Sequence, residues 1–210
     1  RGNDHLNNTP RQIQIYQALD YPIPKFGHVP MILGPDKKKL SKRHGAQSVM
    51  EYQKMGYLPQ AVVNYLVRLG WSYGDQEEFT REELIEKFRL EAVGRSAAAI
   101  NPGKLDWLNS QYIKKASVDD LAQQVRPFIE AKGYAIRDFN RLRKVVLSLR
   151  ERVKTLVEMA DLSEFYFSRE IIYDEGAAKK FLREETVPMF EQIIYALQKE
   201  DAPDKESCHR

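Results

Sequence analysis

Residues 28–45 read "HVPMILGPDKKKLSKRHG" and join two different kinds of sequence. Residues 28–33 are short and apolar, which predicts one β-strand that enters a Gly-Pro-Asp turn and then a strongly basic loop. After Gly45 the pattern is almost wholly helical. The sequence therefore predicts a mainly α fold, with a mixed strand and loop segment only ahead of the basic loop.

The positive charge is concentrated in two places. The chain has 33 Lys and Arg against 30 Asp and Glu, a net charge of +3, and residues 37–43 alone carry +5, which leaves about −2 for the rest. Residues 137–154 hold seven Lys or Arg against two acids. Charge that is local in this way indicates discrete anion sites and argues against a generally polycationic protein.

The single cysteine, Cys208, excludes an internal disulfide and a cysteine-based metal site, and it is typical of a reducing compartment. No His, Cys or carboxylate cluster has the spacing of metal ligands, so we expect no protein-bound metal. There is no signal peptide and no apolar run long enough to cross a bilayer. These features predict a cytoplasmic, monomeric protein that does not bind membranes.

Capping residues and apolar periodicity define the predicted helices. The first begins at Thr9-Pro10 and runs to about residue 19. The later ones are Pro59 to Leu69, a helix opened by the capping box Thr80-x-x-Glu83, one opened by Asn101-Pro102, one opened by Ser117-x-x-Asp120, a single amphipathic helix over residues 142–157, and two within 174–182 and 187–197. Residues 199–210 are typical of a frayed tail.

The basic loop carries groups that suit a polyphosphate. Lys39, Lys42 and Arg43 offer mobile cations and Ser41 offers a hydroxyl, which together can neutralise charge that grows during a reaction. A Lys ammonium on its long stem can follow a leaving pyrophosphate. Composition alone leaves a solvated basic turn as an equal alternative.

The order of the residues favours the first interpretation. "KLSKRHG", residues 39–45, resembles the KMSKS-type signature of class I aminoacyl-tRNA synthetases, in the form found in bacterial glutamyl-tRNA synthetases. The resemblance is nearly continuous over residues 1–115, through "RGNDHLNNTPRQI", "SVMEYQKMGYLPQAVVNYLVRLGWSYGDQE", "FTREELIEKF" and "NPGKLDWLNSQYI". Beyond residue 115 it continues in the islands "ERVKTLVEMA" and "AAKKFLR".

The resemblance implies a ligase that uses ATP and Mg²⁺ to form glutamyl adenylate and then transfers the glutamyl group to tRNA(Glu). It implies that Lys42, with Lys39 in support, is catalytic and holds the phosphates as pyrophosphate leaves. Leu40 occupies the Met position of the signature and packs the loop down. The residues implied for ATP binding are Asp4, His5, Lys39, Leu40, Ser41, Lys42 and Arg43.

The residues ahead of the first helix carry a further implication. Arg1 stands where glutamyl enzymes have an Arg that contacts the bound glutamate, and a planar, always charged fork suits a carboxylate. His5 has the alternative role of a capping or packing residue. His28 and His44 are interpreted as structural residues or loop contacts.

The second basic segment has its own implied partner. On a helical wheel Arg141, Lys144, Ser148 and Arg152 form one polar stripe that could meet phosphates or splayed bases. The alternative is a solvated helix face. The resemblance favours tRNA binding by Arg141, Lys144 and Arg152, with Arg152 in the place of an Arg that probes an anticodon base. The aromatic residues Trp71, Tyr73, Trp107 and Tyr112 fit a helical core better than RNA stacking.

The resemblance also implies the organisation of the chain. We expect residues 1–48 to be the end of a Rossmann-type catalytic domain, 49–115 a helical stem-contact domain and 116–210 part of a helical anticodon-binding domain. The His-x-Gly-His-type signature of such enzymes is absent from the sequence, so we expect this chain alone to be an inactive fragment of the ligase. The alternative is a non-catalytic helical tRNA-binding module.

Overall fold

The computed structural model describes residues 1–40, 48–168 and 173–198. The chain forms two compact units, residues 1–167 and residues 168–210, which we call unit 1 and unit 2. The α-helices of the described residues are α1 Thr9–Ala18, α2 Val49–Lys54, α3 Pro59–Arg68, α4 Arg81–Lys87, α5 Pro102–Lys115, α6 Val118–Ala131, α7 Phe139–Leu149, α8 Leu156–Phe167, α9 Glu175–Phe181 and α10 Val187–Gln198. Single turns of 3₁₀-helix lie at Leu90–Ala92 and Glu184–Thr186, and a longer 3₁₀ segment at Asn3–Asn8. The prediction of a mainly α fold is confirmed.

The two strands of unit 1 are short. β1, Ile32–Leu33, pairs in parallel with β2, Ala98–Ala99, and Ile32 lies opposite Ala98. A strand over the whole of residues 28–33 was the wrong prediction. Val29 makes an isolated bridge to Gly2, but Pro30 has no amide hydrogen to donate and separates that bridge from β1.

Helix starts follow the capping residues that the sequence contains. The Thr80 hydroxyl accepts from the Glu83 amide and the Glu83 carboxylate accepts from the Thr80 amide, so the predicted capping box is confirmed. These contacts, with Lys87 and Gln76, lower the pKa of Glu83 to about 2. Asn101 and Ser117 likewise cap α5 and α6 through their side-chain oxygens.

The prediction of one helix over residues 142–157 is wrong. α7 ends at Leu149 and α8 begins at Leu156, with a tight turn at residues 150–155 between them. The Thr155 hydroxyl accepts from the Glu158 amide, and the Glu158 carboxylate accepts from the Lys154 amide, so α8 has its own cap. Val153 is buried within the turn. The spacing of buried apolar residues therefore continues through residues 150–155 although the helix does not.

The main core of unit 1 is built from α3, α5, α6, α7 and α8. Its members are fully or almost fully buried apolar side chains, and they include residues from both sides of residue 116. They are Leu58, Ala61, Ile113, Leu121, Ala122, Val125, Ile129, Leu142, Val145, Val146, Leu149, Val153, Leu156, Met159 and Ala160. The five helices therefore share one hydrophobic interior.

A second group of contacts fixes the segment between α3 and α4. The buried amide of Asn64 accepts from the Phe79 amide at 2.7 Å and donates to the Glu77 carbonyl at 2.9 Å. The Tyr112 hydroxyl donates to the Phe79 carbonyl at 2.6 Å, and Trp71 is 3% exposed. Trp71 and Tyr112 are thus structural residues, as the sequence predicts, whereas Tyr73 and Trp107 are partly exposed.

The backbone comes into very close approach at Gly56. Gly56 has a φ of +81°, and its carbonyl accepts from the Leu156 amide at 2.9 Å. A Cβ atom at this position would lie 2.6 Å from the Val157 nitrogen and 2.8 Å from the Leu156 nitrogen. Only glycine allows the residues ahead of α3 to lie against the start of α8.

Unit 2 contains α9 and α10 in its described residues. Asp174 caps α9 by accepting from the Ala177 amide at 2.7 Å. Both helices agree with the sequence prediction, and the predicted tail at residues 199–210 lies outside the described residues. Within residues 1–40, 48–168 and 173–198, no helix has both the length and the hydropathy needed to cross a membrane.

We expect Gly56→Ala to lower the free energy of unfolding by about 2–5 kcal/mol. The new Cβ atom would clash with the backbone of α8, and alanine is strained at a positive φ. Gly133→Ala is the matched control, since Gly133 has a φ of +92° but open space around its Cβ position. The control should lose only about 1–2 kcal/mol. Urea unfolding followed by circular dichroism measures both, and equal losses would contradict the close approach at Gly56.

Candidate functional site

Two chain segments converge on the extended residues 29–33. Asn3 donates its amide to the Val29 carbonyl at 2.9 Å, and the Val29 amide donates to the Arg1 carbonyl at the same distance. On the other part of this segment, the Leu40 amide donates to the Ile32 carbonyl at 3.2 Å. Residues 1–4 and 39–40 are therefore brought side by side although they are far apart in sequence.

A tight turn returns the chain after β1. The Gly34 amide donates to the Lys38 carbonyl at 2.8 Å, and the Lys37 amide donates to the Gly34 carbonyl at 3.0 Å. The Asp36 carboxylate accepts from the Lys38 amide at 3.0 Å, and Lys37 has a φ of +61°. This turn sends Lys39 back along β1, where it forms a bridge with Leu33.

The Lys39 ammonium group donates to the Asp4 carboxylate at 3.0 Å. This hydrogen bond and the charge of Lys39 lower the pKa of the Asp4 carboxyl below its ordinary value. Both side chains are accessible to solvent, so the ion pair contributes little to stability and can exchange with another partner.

Arg1 and His5 are the other predicted site residues near the amino end. The Arg1 guanidinium donates to the Gln12 side-chain oxygen of α1 at 2.6 Å, which leaves further donors of the fork for an anion. The His5 imidazole has Nδ1 3.3 Å from the Asn8 amide nitrogen and Nε2 3.9 Å from the Asp4 carboxylate. The structure thus groups Asp4, His5 and Lys39, while the Arg1 side chain contacts Gln12 of α1. Ser41, Lys42, Arg43 and His44 lie outside the described residues.

His28 has the structural role that the sequence predicts. Its Nε2 lies 2.8 Å from the Thr9 hydroxyl, so it ties the start of α1 to the segment ahead of β1. Among the described residues, no group of three or more His, Cys, Asp or Glu is arranged to hold a metal ion.

The second predicted site lies on α7 and the turn after it. The Arg141 guanidinium donates to the Tyr166 carbonyl and lies over the Phe167 ring, 5.7 Å from its centroid. The Ser148 hydroxyl contacts the Tyr166 hydroxyl at 3.0 Å. Arg141 and Ser148 therefore face the end of α8, and part of the donor capacity of Arg141 is already used.

Lys144 and Arg152 are exposed. Within the described parts of the chain, neither side chain has a hydrogen bond or an ion pair, whereas Arg143 pairs with Asp119 at 2.9 Å. The prediction that Arg152 continues the stripe of a helix is wrong, since Arg152 belongs to the turn at residues 150–155.

Sequence reasoning missed three contributors to these sites. Thr155-x-x-Glu158 has the spacing of a capping box and signals the break before α8. Gln12 holds Arg1, and Asn109 lies buried beside the turn that carries Arg152. Nothing local in the sequence distinguishes Gln12 or Asn109 from other polar residues on helices.

We expect the pKa of the Asp4 carboxyl to rise toward its ordinary value in Lys39→Gln, because the ionised form loses its hydrogen bond. The pair's contribution to stability is present at neutral pH and is lost as the pH falls through the lowered pKa of Asp4. Lys38→Gln is the matched control and should leave Asp4 unchanged. An NMR titration of the carboxyl carbon measures this, and the same Asp4 pKa with and without Lys39 would show that the pair does not form.

Curated relatives share more than half of their aligned residues with this chain. The glutamate–tRNA ligase of Geobacter sulfurreducens is 57% identical over 197 residues, which cover 94% of this chain and 42% of that protein. The glutamate–tRNA ligase of Nitratidesulfovibrio vulgaris is 51% identical over 212 residues, which cover the whole chain and 46% of that protein. The chain therefore spans less than half the length of these relatives.

Solved structures have the same fold. A glutamate tRNA ligase from Elizabethkingia meningosepticum, in complex with its amino acid, superposes with a TM-score of 0.77 at 26% identity, over 96% of this chain and 44% of that one. A glutamate–tRNA synthetase from Elizabethkingia anophelis gives a TM-score of 0.76 at 26% identity, over the whole chain and 46% of that one.

Two family models divide the chain between them. The model described as "tRNA synthetases class I (E and Q), catalytic domain" matches residues 1–107, and the model described as "Anticodon binding domain" matches residues 120–210. The first model alone matches just over half of the residues, and it includes both Asp4 and Lys39. The chain belongs to the class I tRNA synthetases of the E and Q group.

Proposed function

We propose that this chain is part of a glutamate–tRNA ligase, which forms glutamyl adenylate from L-glutamate and ATP and transfers the glutamyl group to tRNA(Glu). The observation that carries the proposal is the 57% identity over 197 residues with a relative of that name. The match to a catalytic-domain model over residues 1–107 argues against a purely non-catalytic binding module.

The cluster of Asp4, His5 and Lys39 supports the proposed chemistry. In the first step a glutamate carboxylate oxygen attacks the α-phosphorus of ATP, and pyrophosphate leaves with increased negative charge. Lys39 and Lys42 are proposed to neutralise that charge, with Leu40, Ser41 and Arg43 completing the loop over ATP. Bound to the phosphates, Mg²⁺ would shield the same charge.

Arg1 is proposed to bind the carboxylate of the substrate glutamate. Its guanidinium is oriented by Gln12 and is exposed, which supports a role in anion recognition. Asp4 and His5 are proposed to line the ATP site. Lys39 is paired with Asp4, so nucleotide binding would exchange one anionic partner of Lys39 for another.

The tRNA is proposed to bind at Arg141, Lys144 and Arg152. The exposed, unpaired guanidinium of Arg152 supports contact with a base edge, since a planar fork of donors can bind a base bidentately. Lys144 is an exposed residue of α7, and its ammonium group suits contact with a phosphate. One guanidinium nitrogen of Arg141 donates to the Tyr166 carbonyl, and its other N–H groups could donate to the RNA.

The domain assignment also remains part of the proposal. Residues 1–48 would complete a catalytic domain, residues 49–115 would contact the acceptor stem and residues 116–210 would bind the anticodon. The ligase is proposed to act as a cytoplasmic monomer with tRNA(Glu) as its macromolecular partner.

We expect Arg152→Gln to weaken binding of a tRNA(Glu) transcript with the anticodon UUC by about 1–3 kcal/mol, because a bidentate base contact is lost. Binding of a transcript changed at the last anticodon base should be affected less. Fluorescence anisotropy with the 210-residue chain measures both affinities. Arg143→Gln is the control, since Arg143 lies nearby but is paired with Asp119.

Equal weakening of both transcripts by Arg152→Gln would mean that Arg152 contacts only the RNA backbone. Loss of affinity in the Arg143→Gln control that matches the loss in Arg152→Gln would remove any special role of Arg152.

A further inference from the structure

The turn at residues 150–155 is held to the rest of unit 1 at several points. The Arg152 amide donates to the Leu149 carbonyl at 2.8 Å, and the Leu156 amide donates to the Gly56 carbonyl at 2.9 Å. The Arg150 guanidinium donates to the Lys114 carbonyl at the end of α5. The backbone of this turn is therefore fixed on both sides of Arg152.

Asn109 makes the central contact to the turn. It projects from the middle of α5 and is 0% exposed. Its side-chain oxygen accepts from the Leu58 amide at 2.8 Å, and its side-chain nitrogen donates to the Lys154 carbonyl at 2.5 Å. One buried amide thus joins α5, the residue ahead of α3 and the turn.

Arg152 differs from Arg150 and from the two arginines of α7, Arg141 and Arg143. Arg141 and Arg150 donate to backbone carbonyls, and Arg143 pairs with Asp119. The Arg152 side chain is exposed and, in the described residues, has no such contact. Its backbone is anchored while its guanidinium stays available, which is the arrangement expected of a preorganised ligand-binding residue.

We propose that Asn109 is a positioning residue for RNA recognition, which fixes the backbone of the turn from which the Arg152 side chain reaches the anticodon. This proposal rests on the proposed function. Without the Asn109 donor, the Lys154 carbonyl loses its buried partner and the turn gains alternative conformations. Part of the free energy of RNA binding would then be spent on ordering the turn again.

The chain contains a matched control for Asn109. Asn64 is also 0% exposed, accepts from a backbone amide, at Phe79, and donates to a backbone carbonyl, at Glu77. It holds the segment ahead of α4 and makes no contact with the turn. Changing either Asn to Ser removes the same kind of buried contact, so a general loss of stability affects both variants.

The experiment compares Asn109→Ser and Asn64→Ser in the 210-residue chain. We expect Asn109→Ser to raise the Kd for the UUC transcript by about fivefold, within the usual coupling between residues in contact. Measured with an isolated anticodon stem-loop that carries UUC and lacks the acceptor stem, Asn64→Ser should leave the Kd unchanged at a temperature where thermal melts show all variants folded. In the Arg152→Gln background, Asn109→Ser should have no further effect on the Kd.

Hydrogen exchange supplies a readout that does not depend on RNA. We expect the amides of residues 152–156 to exchange faster in Asn109→Ser than in Asn64→Ser. Unchanged exchange in the turn would overturn the anchoring role of Asn109.

The binding results separate the two proposals. Equal loss of RNA affinity in Asn109→Ser and Asn64→Ser, or a full effect of Asn109→Ser in the Arg152→Gln background, would overturn the positioning role alone. Failure of the unmodified chain to bind any of the transcripts would instead overturn the proposed RNA recognition, and the positioning role with it.

Discussion

Backbone groups that are buried away from water must have hydrogen-bond partners, and this constraint is sharpest where α5 meets the turn at residues 150–155. Asn109 satisfies the Leu58 amide and the Lys154 carbonyl together, and the absence of a Cβ at Gly56 lets the chain approach the start of α8. The shared core of α3, α5, α6, α7 and α8 depends on this junction. α5 also follows β2, so the same helix extends from the sheet beside Lys39 to the turn that presents Arg152.

Much of the helical fold is readable from the sequence because its signals are local. Thr80, Asn101 and Ser117 mark helix starts through hydrogen bonds that span only three residues. The interruption before α8 escapes an analysis of periodicity, since Val153 and Leu156 stay buried across the turn and preserve the apolar spacing. Pro30 explains why β1 is shorter than residues 28–33. Its lack of an amide hydrogen is visible in the sequence and argues against a continuous strand there.

The sites were less accessible to sequence reasoning because their geometry is long-range. Asp4 and Lys39 are 35 positions apart, and only the resemblance placed both on the ATP side of the molecule; the direct ion pair between them required the fold. Asn109 and Lys154 are 45 positions apart, and no sequence signal links them. Arg141 was predicted from the sequence to contact RNA, but in the fold its guanidinium already donates to the Tyr166 carbonyl.

The central claim is that cations of the basic loop neutralise phosphate charge while glutamate is activated. The most direct measurement is glutamate-dependent exchange of pyrophosphate into ATP by a full-length ligase that carries these residues. With Lys42→Ala we predict slower exchange, equivalent to about 2–4 kcal/mol of barrier, while Lys37→Ala at the start of the basic run stays near the unmodified rate. Exchange at the unmodified rate without Lys42 would contradict the claim.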